Sequence, residues 1–262
     1  MITLKSDREF AKMAVAGACV AAVLEAIRQA ARPGVSLKDL DALSAEIIAQ
    51  HGCTSSFLGY RGTYPATICA SPNDVIVHGI PTTYRLRDGD ILSIDAGAIF
   101  EGFHGDAAFT MGIGEVSAAA EALIAATEQG MWAGVRQVRH GARIGDIAAA
   151  VQGVGDTGGY GIVREYVGHG IGREMHEEPQ VPNHGPPGKG LKLRTGMAIC
   201  VEPMFNLGSH ETRVDPDGWT VRTADGSLSA HFEHTVAITS DGVKVMTMAS
   251  TPVDLVELAT NR

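Results

Sequence analysis

Residues 90–111 read Asp90-Ile-Leu-Ser-Ile-Asp95-Ala-Gly-Ala-Ile-Phe100-Glu-Gly-Phe-His-Gly-Asp106-Ala-Ala-Phe-Thr-Met111. They form two alternating apolar runs joined by a tight turn at Phe100-Glu101-Gly102. Period-2 alternation sets Ile94, Ala96 and Ala98 on one face and Asp95 on the other. On the return run, Phe109 and Met111 oppose Asp106 in the same sense. Asp95 and Asp106 are equidistant from a turn centred between Phe100 and Glu101. The spacing therefore predicts them directly across from each other, about 4.5–5.5 Å apart at Cβ. Like charges facing each other destabilise a sheet. Either both aspartates face solvent, or a shared proton, a basic partner or a metal ion neutralises them. Both readings stand on this stretch alone.

The flanking sequence supplies helices. Ser6-Asp-Arg-Glu9 is a capping box ahead of an Ala-rich helix with Phe10, Met13, Val20, Leu24 and Ile27 along one stripe. Arg32-Pro33-Gly34 stops it. Ser36 then caps a second helix carrying Leu37, Leu40, Leu43 and Ile47 inward. Short strands are expected at Thr67–Cys69 and Val75–His78, before the aspartate hairpin. The pattern then recurs: a helix from Ser117 to about Arg139, a break at Gly141, and a helix from about Ile144 to Val154. Strand material follows at Tyr160–Val167, Met197–Phe205, Glu211–Val214, Trp219–Arg222, Phe232–Ile238 and Val243–Met248, with Pro179–Pro187 as an ordered loop. This order predicts an α+β fold. One domain over residues 1–262 would hold two pseudo-symmetric helix-helix-strand halves, about 1–113 and 114–262, with antiparallel sheets.

With 262 residues, 45% of them hydrophobic and only 19% charged, the chain can bury a large core. A net charge of −9 disfavours nucleic acid as substrate. Cys19, Cys53, Cys69 and Cys200 are scattered with no C-x-x-C pair, which excludes a zinc ribbon and disfavours a disulfide framework. The N-terminus lacks the apolar core of a signal peptide. The uncharged run Met13–Leu24 is shorter than the ~20 residues of a membrane span. A cytoplasmic, monomeric protein without membrane contact is the expectation.

Three more residues join the aspartates. His169 lies in Gly168-His-Gly170-Ile-Gly172, where flanking glycines let the backbone come close to whatever the imidazole meets. Glu202 ends the apolar run Ile199-Cys-Val, where a carboxylate needs a partner. Glu233 shares a strand face with Thr235, opposite Phe232, Val236 and Ile238. Singly, each has a plain explanation as a core histidine, an ion-paired glutamate or a solvated one. Jointly, hard oxygen ligands with one nitrogen suit Mn, Fe, Co or Zn. Four carboxylates balance two dications.

The set Asp95, Asp106, His169, Glu202 and Glu233 resembles the dinuclear metal site of the type I methionine aminopeptidases of metallopeptidase family M24. The likeness extends over nearly the whole chain. It rests on Asn73-Asp-Val-Ile-Val-His78-Gly-Ile-Pro81, Gly102-Phe-His-Gly-Asp106, Gly168-His-Gly-Ile-Gly-Arg-Glu-Met-His176-Glu-Glu-Pro-Gln180, Val201-Glu-Pro-Met204, Trp219-Thr-Val221 and Ser227-Leu-Ser-Ala-His-Phe-Glu233-His-Thr235. The family's fold is the pita-bread duplication, which encloses the metal site.

The resemblance implies the following roles. Asp95 chelates one metal, Asp106 and Glu233 bridge the pair, and His169 and Glu202 complete the other. A metal-bridging hydroxide attacks the first peptide carbonyl, with Glu202 as proton shuttle, and the substrate α-amine binds at the metal held by Asp95. His78 and His176 hydrogen-bond the scissile amide and stabilise the tetrahedral intermediate. Phe57, Tyr60, Tyr64, Cys69, Met175 and Trp219 line the methionine pocket, with core packing as the rival reading. A monovalent cation near Asn73, Val75 and Ser229 is implied as well. The pocket departs from the family pattern: Tyr60-Arg-Gly-Thr-Tyr64 carries an extra residue, Phe57 stands where Cys is common, and Met175 where Phe is common. The chain is also expected to start at the catalytic domain, without a zinc-binding or ribosome-docking extension.

The expected activity is removal of initiator methionine from nascent proteins, at or near the ribosome, with preference for a small second residue. Two alternatives stand beside it. One is a proline-specific aminopeptidase or dipeptidase on the same fold, whose large extra N-terminal domain is not expected for this chain. The other is a non-enzymatic pita-bread binding protein, whose kind has lost metal ligands that this chain keeps.

Overall fold

A computed structural model describes residues 2–248 and the backbone of Val253–Asp254. The first half holds α1 (Asp7–Ala30), α2 (Leu37–Gln50), β1 (Thr54–Ser55), β2 (Ile68–Pro72), β3 (Val75–Val77), β4 (Ile91–Phe100) and β5 (Phe103–Gly112). The second begins with α3 (Ala118–Val135) and α4 (Ile144–Gly158). Its strands are β6 (Gly161–Ile162), β7 (Gly168–Gly170), β8 (Glu177–Val181), β9 (Ala198–Val201), β10 (Met204–Asn206), β11 (Thr212–Val214), β12 (Val221–Thr223), β13 (Ser229–His231), β14 (Glu233–Thr239), β15 (Gly242–Val245) and β16 (Val253–Asp254).

The helix starts follow the local chemistry. Ser6 Oγ accepts from the Glu9 amide while Glu9 Oε2 accepts from the Ser6 amide, at 3.4 and 2.9 Å. Ser36 and Asp39 form the same box on α2. Helix α1 is long and apolar enough by composition to cross a membrane. Here its stripe, with Phe10, Met13, Val20, Leu24 and Ile27 buried, lies on β4 and β5. In α2 the buried stripe runs through Leu37, Leu40, Ser44 and Ile48, with Leu43 and Ile47 at its margin. Helix α3 stops at Val135, short of the expected Arg139. There the amides of Gln137 and Val138 bond back three residues and tighten the chain out of the α-helix. Helix α4 outruns the expectation to Gly158, and Gly159 ends it in the left-handed region at φ 71°.

Ten strands form one sheet, ordered β1-β4-β5-β14-β9-β7-β8, with β2 beside β4, β15 beside β14 and β16 beside β15. Antiparallel pairing of β5 with β14 joins the strands of the two halves edge to edge. Two three-stranded sheets, β13-β10-β6 and β11-β12-β3, flank it. Pro179, expected in a loop, sits in β8, an edge strand where a missing N–H costs no ladder bond.

The hairpin register differs from the one the spacing predicts. Its loop is Glu101-Gly102, both left-handed at φ 45° and 78°, between the paired Phe100 and Phe103. Two consecutive positive-φ residues make the primed turn whose twist matches paired strands. The centre therefore lies between Glu101 and Gly102. Asp95 faces Ala108 and Asp106 faces Gly97, so the aspartates are diagonal neighbours on one face.

Candidate active site

Each of five adjacent strands brings one candidate ligand to the concave face of the sheet. Across the order β4-β5-β14-β9-β7 these are Asp95, Asp106, Glu233, Glu202 and His169. Glu202 lies one residue beyond β9. The continuous strand expected over Met197–Phe205 breaks at Glu202-Pro203, since Pro203 has no N–H for the ladder. Three strand spacings separate β5 from β7, roughly 14 Å in a flat sheet. Yet His169 Nε2 lies 3.7 Å from Asp106 Oδ2, 3.3 Å from Glu202 Oε1 and 4.0 Å from Glu233 Oε1. Only a curled sheet closes that distance.

The ligands are held before anything binds. Thr235 Oγ1 donates to the Asp106 carbonyl at 2.8 Å and accepts from the Asp106 amide at 3.1 Å, continuing the β5–β14 ladder with a side chain. Thr110 Oγ1 clamps the backbone of His231 in the same way, at 2.8 Å to each group. His169 Nδ1 donates to the Gly170 carbonyl at 2.8 Å, which leaves Nε2 as a lone pair facing the carboxylates.

The electrostatics demand a counter-charge. Burial, opposed by a hydrogen bond from Asp106, pushes the Asp95 carboxyl up to about 7. Asp106, Glu202 and Glu233 are pushed well above the ordinary carboxylate range, first by burial and then by their neighbouring carboxylates. Burial holds His169 down to about 3 and His231 likewise. Asp95 Oδ1, Asp106 Oδ1, Glu202 Oε1, Glu233 Oε1 and His231 Nε2 are all buried without a hydrogen-bond partner. Orphaned buried polar atoms are costly, and their convergence on one point fits divalent cations. Cys200 Sγ also lies near Asp106, His169 and Glu233. Burial and the Glu233 charge hold it as a thiol, 3.6 Å from Thr235 Oγ1.

A cavity of about 370 Å³ opens above this cluster. Phe57, Tyr64, Cys69 and Met175 are buried in one apolar cluster, with Tyr60 and Trp219 packed against it. All six line the cavity. Tyr64 meets Trp219 edge to face at 5.1 Å. Cys69 on β2 pairs directly with Asp95 on β4, so the apolar slot abuts that end of the carboxylate row. Within Tyr60–Tyr64, the stretch expected to carry one extra residue, Tyr60–Gly62 forms a single turn, with Arg61 and Gly62 left-handed at φ 47° and 77°. His78 follows β3, itself left-handed at φ 59°, and its ring packs edge-on to Tyr166 and Trp219. His176 sits 4.3 Å from the His169 ring, with Nδ1 2.8 Å from Tyr60 Oη. Burial holds His78 down to about 4, and His176 below its ordinary range. At the start of β13, the Ser229 amide donates to the Asn73 carbonyl at 2.9 Å, and Ser229 Oγ is buried without a partner.

A family model, metallopeptidase family M24, matches residues 11–240. The chain is 49% identical to methionine aminopeptidase 1 of Mycobacterium tuberculosis, over 95% of this chain and 96% of that one. The chain belongs to the M24 methionine aminopeptidases. A solved methionine aminopeptidase from Thermotoga maritima superposes with TM-score 0.92 at 40% identity, covering 95% of this chain and all of that one. The prolidase from Pyrococcus furiosus shares the fold alone, with TM-score 0.75 and 19% identity. The match covers 95% of this chain and 66% of that one. The fold is thus the pita-bread fold of the M24 enzymes, and membership implies divalent metal use.

Three features of this M24 site escape the sequence reading. His231 points at the carboxylates from the position two before Glu233. The strand alternation His231-x-Glu233 could have flagged it. Tyr60 bonds His176 across 116 residues. The loop carrying Met175 and His176 is strapped by the N-terminus. Lys5 Nζ donates to Glu177 Oε2 at 2.6 Å, Thr3 Oγ1 donates to the same oxygen, and Glu177 Oε1 accepts from the Arg173 amide at 2.9 Å.

Proposed function

We propose that this chain removes the initiator methionine from nascent proteins, preferring a small second residue. The carrying observation is a slot of aromatic and sulfur side chains that ends on a buried row of carboxylates. Asp95, Asp106 and Glu233 would hold one cation, and Asp106, Glu233, His169 and Glu202 the second; Co, Mn, Fe and Zn all suit this donor set. Bound there, the ions supply Lewis acidity and a water activated at neutral pH.

The chain's own residues do the remainder. The slot takes the methionine side chain, whose full burial is worth about 1.5–3 kcal/mol, and its flexible thioether adapts to an irregular wall. The free α-amine lies at the Asp95 end, where the slot meets the row, which restricts cleavage to a chain terminus. Glu202, with one buried oxygen unpartnered, takes up a proton and returns it to the departing amine. His78 and His176 donate to the scissile amide as charge develops on its oxygen. Tyr60 occupies His176 Nδ1, which leaves Nε2 for that donation. Ser229 Oγ, buried and unpartnered on a residue whose amide bonds the Asn73 carbonyl, supports a monovalent cation there. A nascent-chain substrate would put the enzyme in the cytoplasm, working as a monomer at or near the ribosome.

Kinetics on Met-Ala-Ser and on Ala-Pro peptides test the reading. Release of free methionine, lost with a chelator and restored by divalent metal, is expected. Cleavage of Ala-Pro alone would make the chain a proline-specific peptidase instead.

A further inference from the structure

His231 belongs to none of the roles assigned so far, yet it is among the most constrained side chains near the site. It is 2% exposed, and its Nε2 is buried without a hydrogen-bond partner. That nitrogen lies 3.9 Å from Glu202 Oε2 and 3.9 Å from Glu233 Oε2. Both separations are too long for hydrogen bonds. They suit two ligands of one cation: with metal–ligand distances near 2.1 Å, ligand atoms lie roughly 3–4 Å apart. His169 provides an internal comparison. Its Nε2 stands 3.3 and 4.0 Å from the Oε1 atoms of the same two glutamates. The two imidazoles therefore flank the glutamate pair, His169 facing one oxygen of each and His231 facing the other. Ligand atoms of Glu202, His231 and Glu233 all lie within 4.8 Å of one another.

The position is fixed from behind. Thr110 Oγ1 donates to the His231 carbonyl and accepts from its amide, each at 2.8 Å, and Ser93 Oγ lies 2.8 Å from the same hydroxyl. Ligand residues braced in this way from their surroundings lose little on binding.

We propose that His231 is a sixth side chain of the metal centre, its Nε2 ligating a divalent cation shared with Glu202 and Glu233. The inference rests on the metal-centre reading above. It makes the centre two-imidazole rather than one-imidazole. A second nitrogen favours Co and Zn over Mn, which prefers oxygen donors.

The test uses the full chain loaded with Co(II). Wild-type protein is expected to show two strongly shifted, solvent-exchangeable imidazole N–H proton resonances, one per ligating histidine. H231Q and H231N, checked for folding by circular dichroism, should each lose one of them. Calorimetry should show Co(II) affinity at one site falling roughly 10–100-fold, with a smaller loss for Mn(II). A single such resonance in the wild type would overturn the inference, and this count needs no variant. So would two resonances that both persist in the folded variants. If the folded wild type takes up no Co(II) in equilibrium dialysis, the metal-centre reading fails and takes this one with it. A lone His169 resonance leaves that reading intact.

Discussion

Replacing Lys5 with Met tests whether the N-terminal strap positions the catalytic loop. Lys5 and Glu177 are only 4% and 7% exposed at their side chains, with 2.6 Å between charged atoms. Burial alone would raise the Glu177 carboxyl. The bonds from Lys5 and Thr3 outweigh it and bring the group below its ordinary range. Breaking a buried pair by removing one partner costs 3–5 kcal/mol. Here Glu177 keeps the hydroxyl of Thr3 and the amide of Arg173. The low end applies: about 3 kcal/mol, or a fall in Tm of roughly 6–12 °C for a chain of this size. Glu177 follows Met175 and His176 directly, so the loop should also lose its setting. A misplacement near 1 Å costs up to about 100-fold in rate, and a drop in kcat/KM of about tenfold or more is expected. Thermal unfolding and methionine release from Met-Ala-Ser measure both, with K5R as the conservative control. A Tm within 2 °C of wild type together with unchanged kcat/KM would refute the reasoning.

Two further outcomes follow from the site. Y60F removes the hydroxyl 2.8 Å from His176 Nδ1. One hydrogen bond is worth about 1 kcal/mol, so kcat should fall about fivefold with little change in KM; unchanged kcat would remove Tyr60 from the account. Asp95, Asp106, Glu202 and Glu233 have folded pKa values above their unfolded ones. Such groups stabilise the metal-free protein below the ordinary carboxylate range, and that contribution is lost as pH rises through the folded values, about 7 for Asp95. Divalent cations replace the lost protons, so the gain in Tm on adding Co(II) should grow from pH 5 to pH 8. Thermal unfolding with and without metal measures it, and a gain that shrinks with pH would contradict the electrostatics.

What could be read from the chain was governed by local chemistry. The Ser6–Glu9 capping box, the Ser36 cap and the apolar stripe of α1 sit where side-chain spacing puts them. The faces of β4 and β5 are correct because parity along a strand does not depend on the turn. Their register moved because it is set by which two residues adopt positive φ, and Glu101 is not a residue whose type announces that. Glu202 left the strand for the same kind of reason, Pro203 ending the ladder next to it. The five candidate ligands were nameable because each stands in an apolar or glycine-rich setting that makes a polar side chain conspicuous. That four of them lie on strands of one curled sheet, with Glu202 just past the end of the fifth in the same consecutive row, was not, since strand order is a long-range property. The Lys5–Glu177 strap and the Tyr60–His176 bond join residues more than a hundred positions apart, with no periodicity to mark them.

The central claim is that a buried row of four carboxylates and His169 gathers divalent cations that make peptide hydrolysis possible. Elemental analysis after equilibrium dialysis, run beside methionine release on wild type and D106A, tests it most directly. Two divalent ions per wild-type chain are expected, with D106A folded by circular dichroism, depleted in metal and inactive. A folded D106A that still releases methionine at the wild-type rate would contradict it.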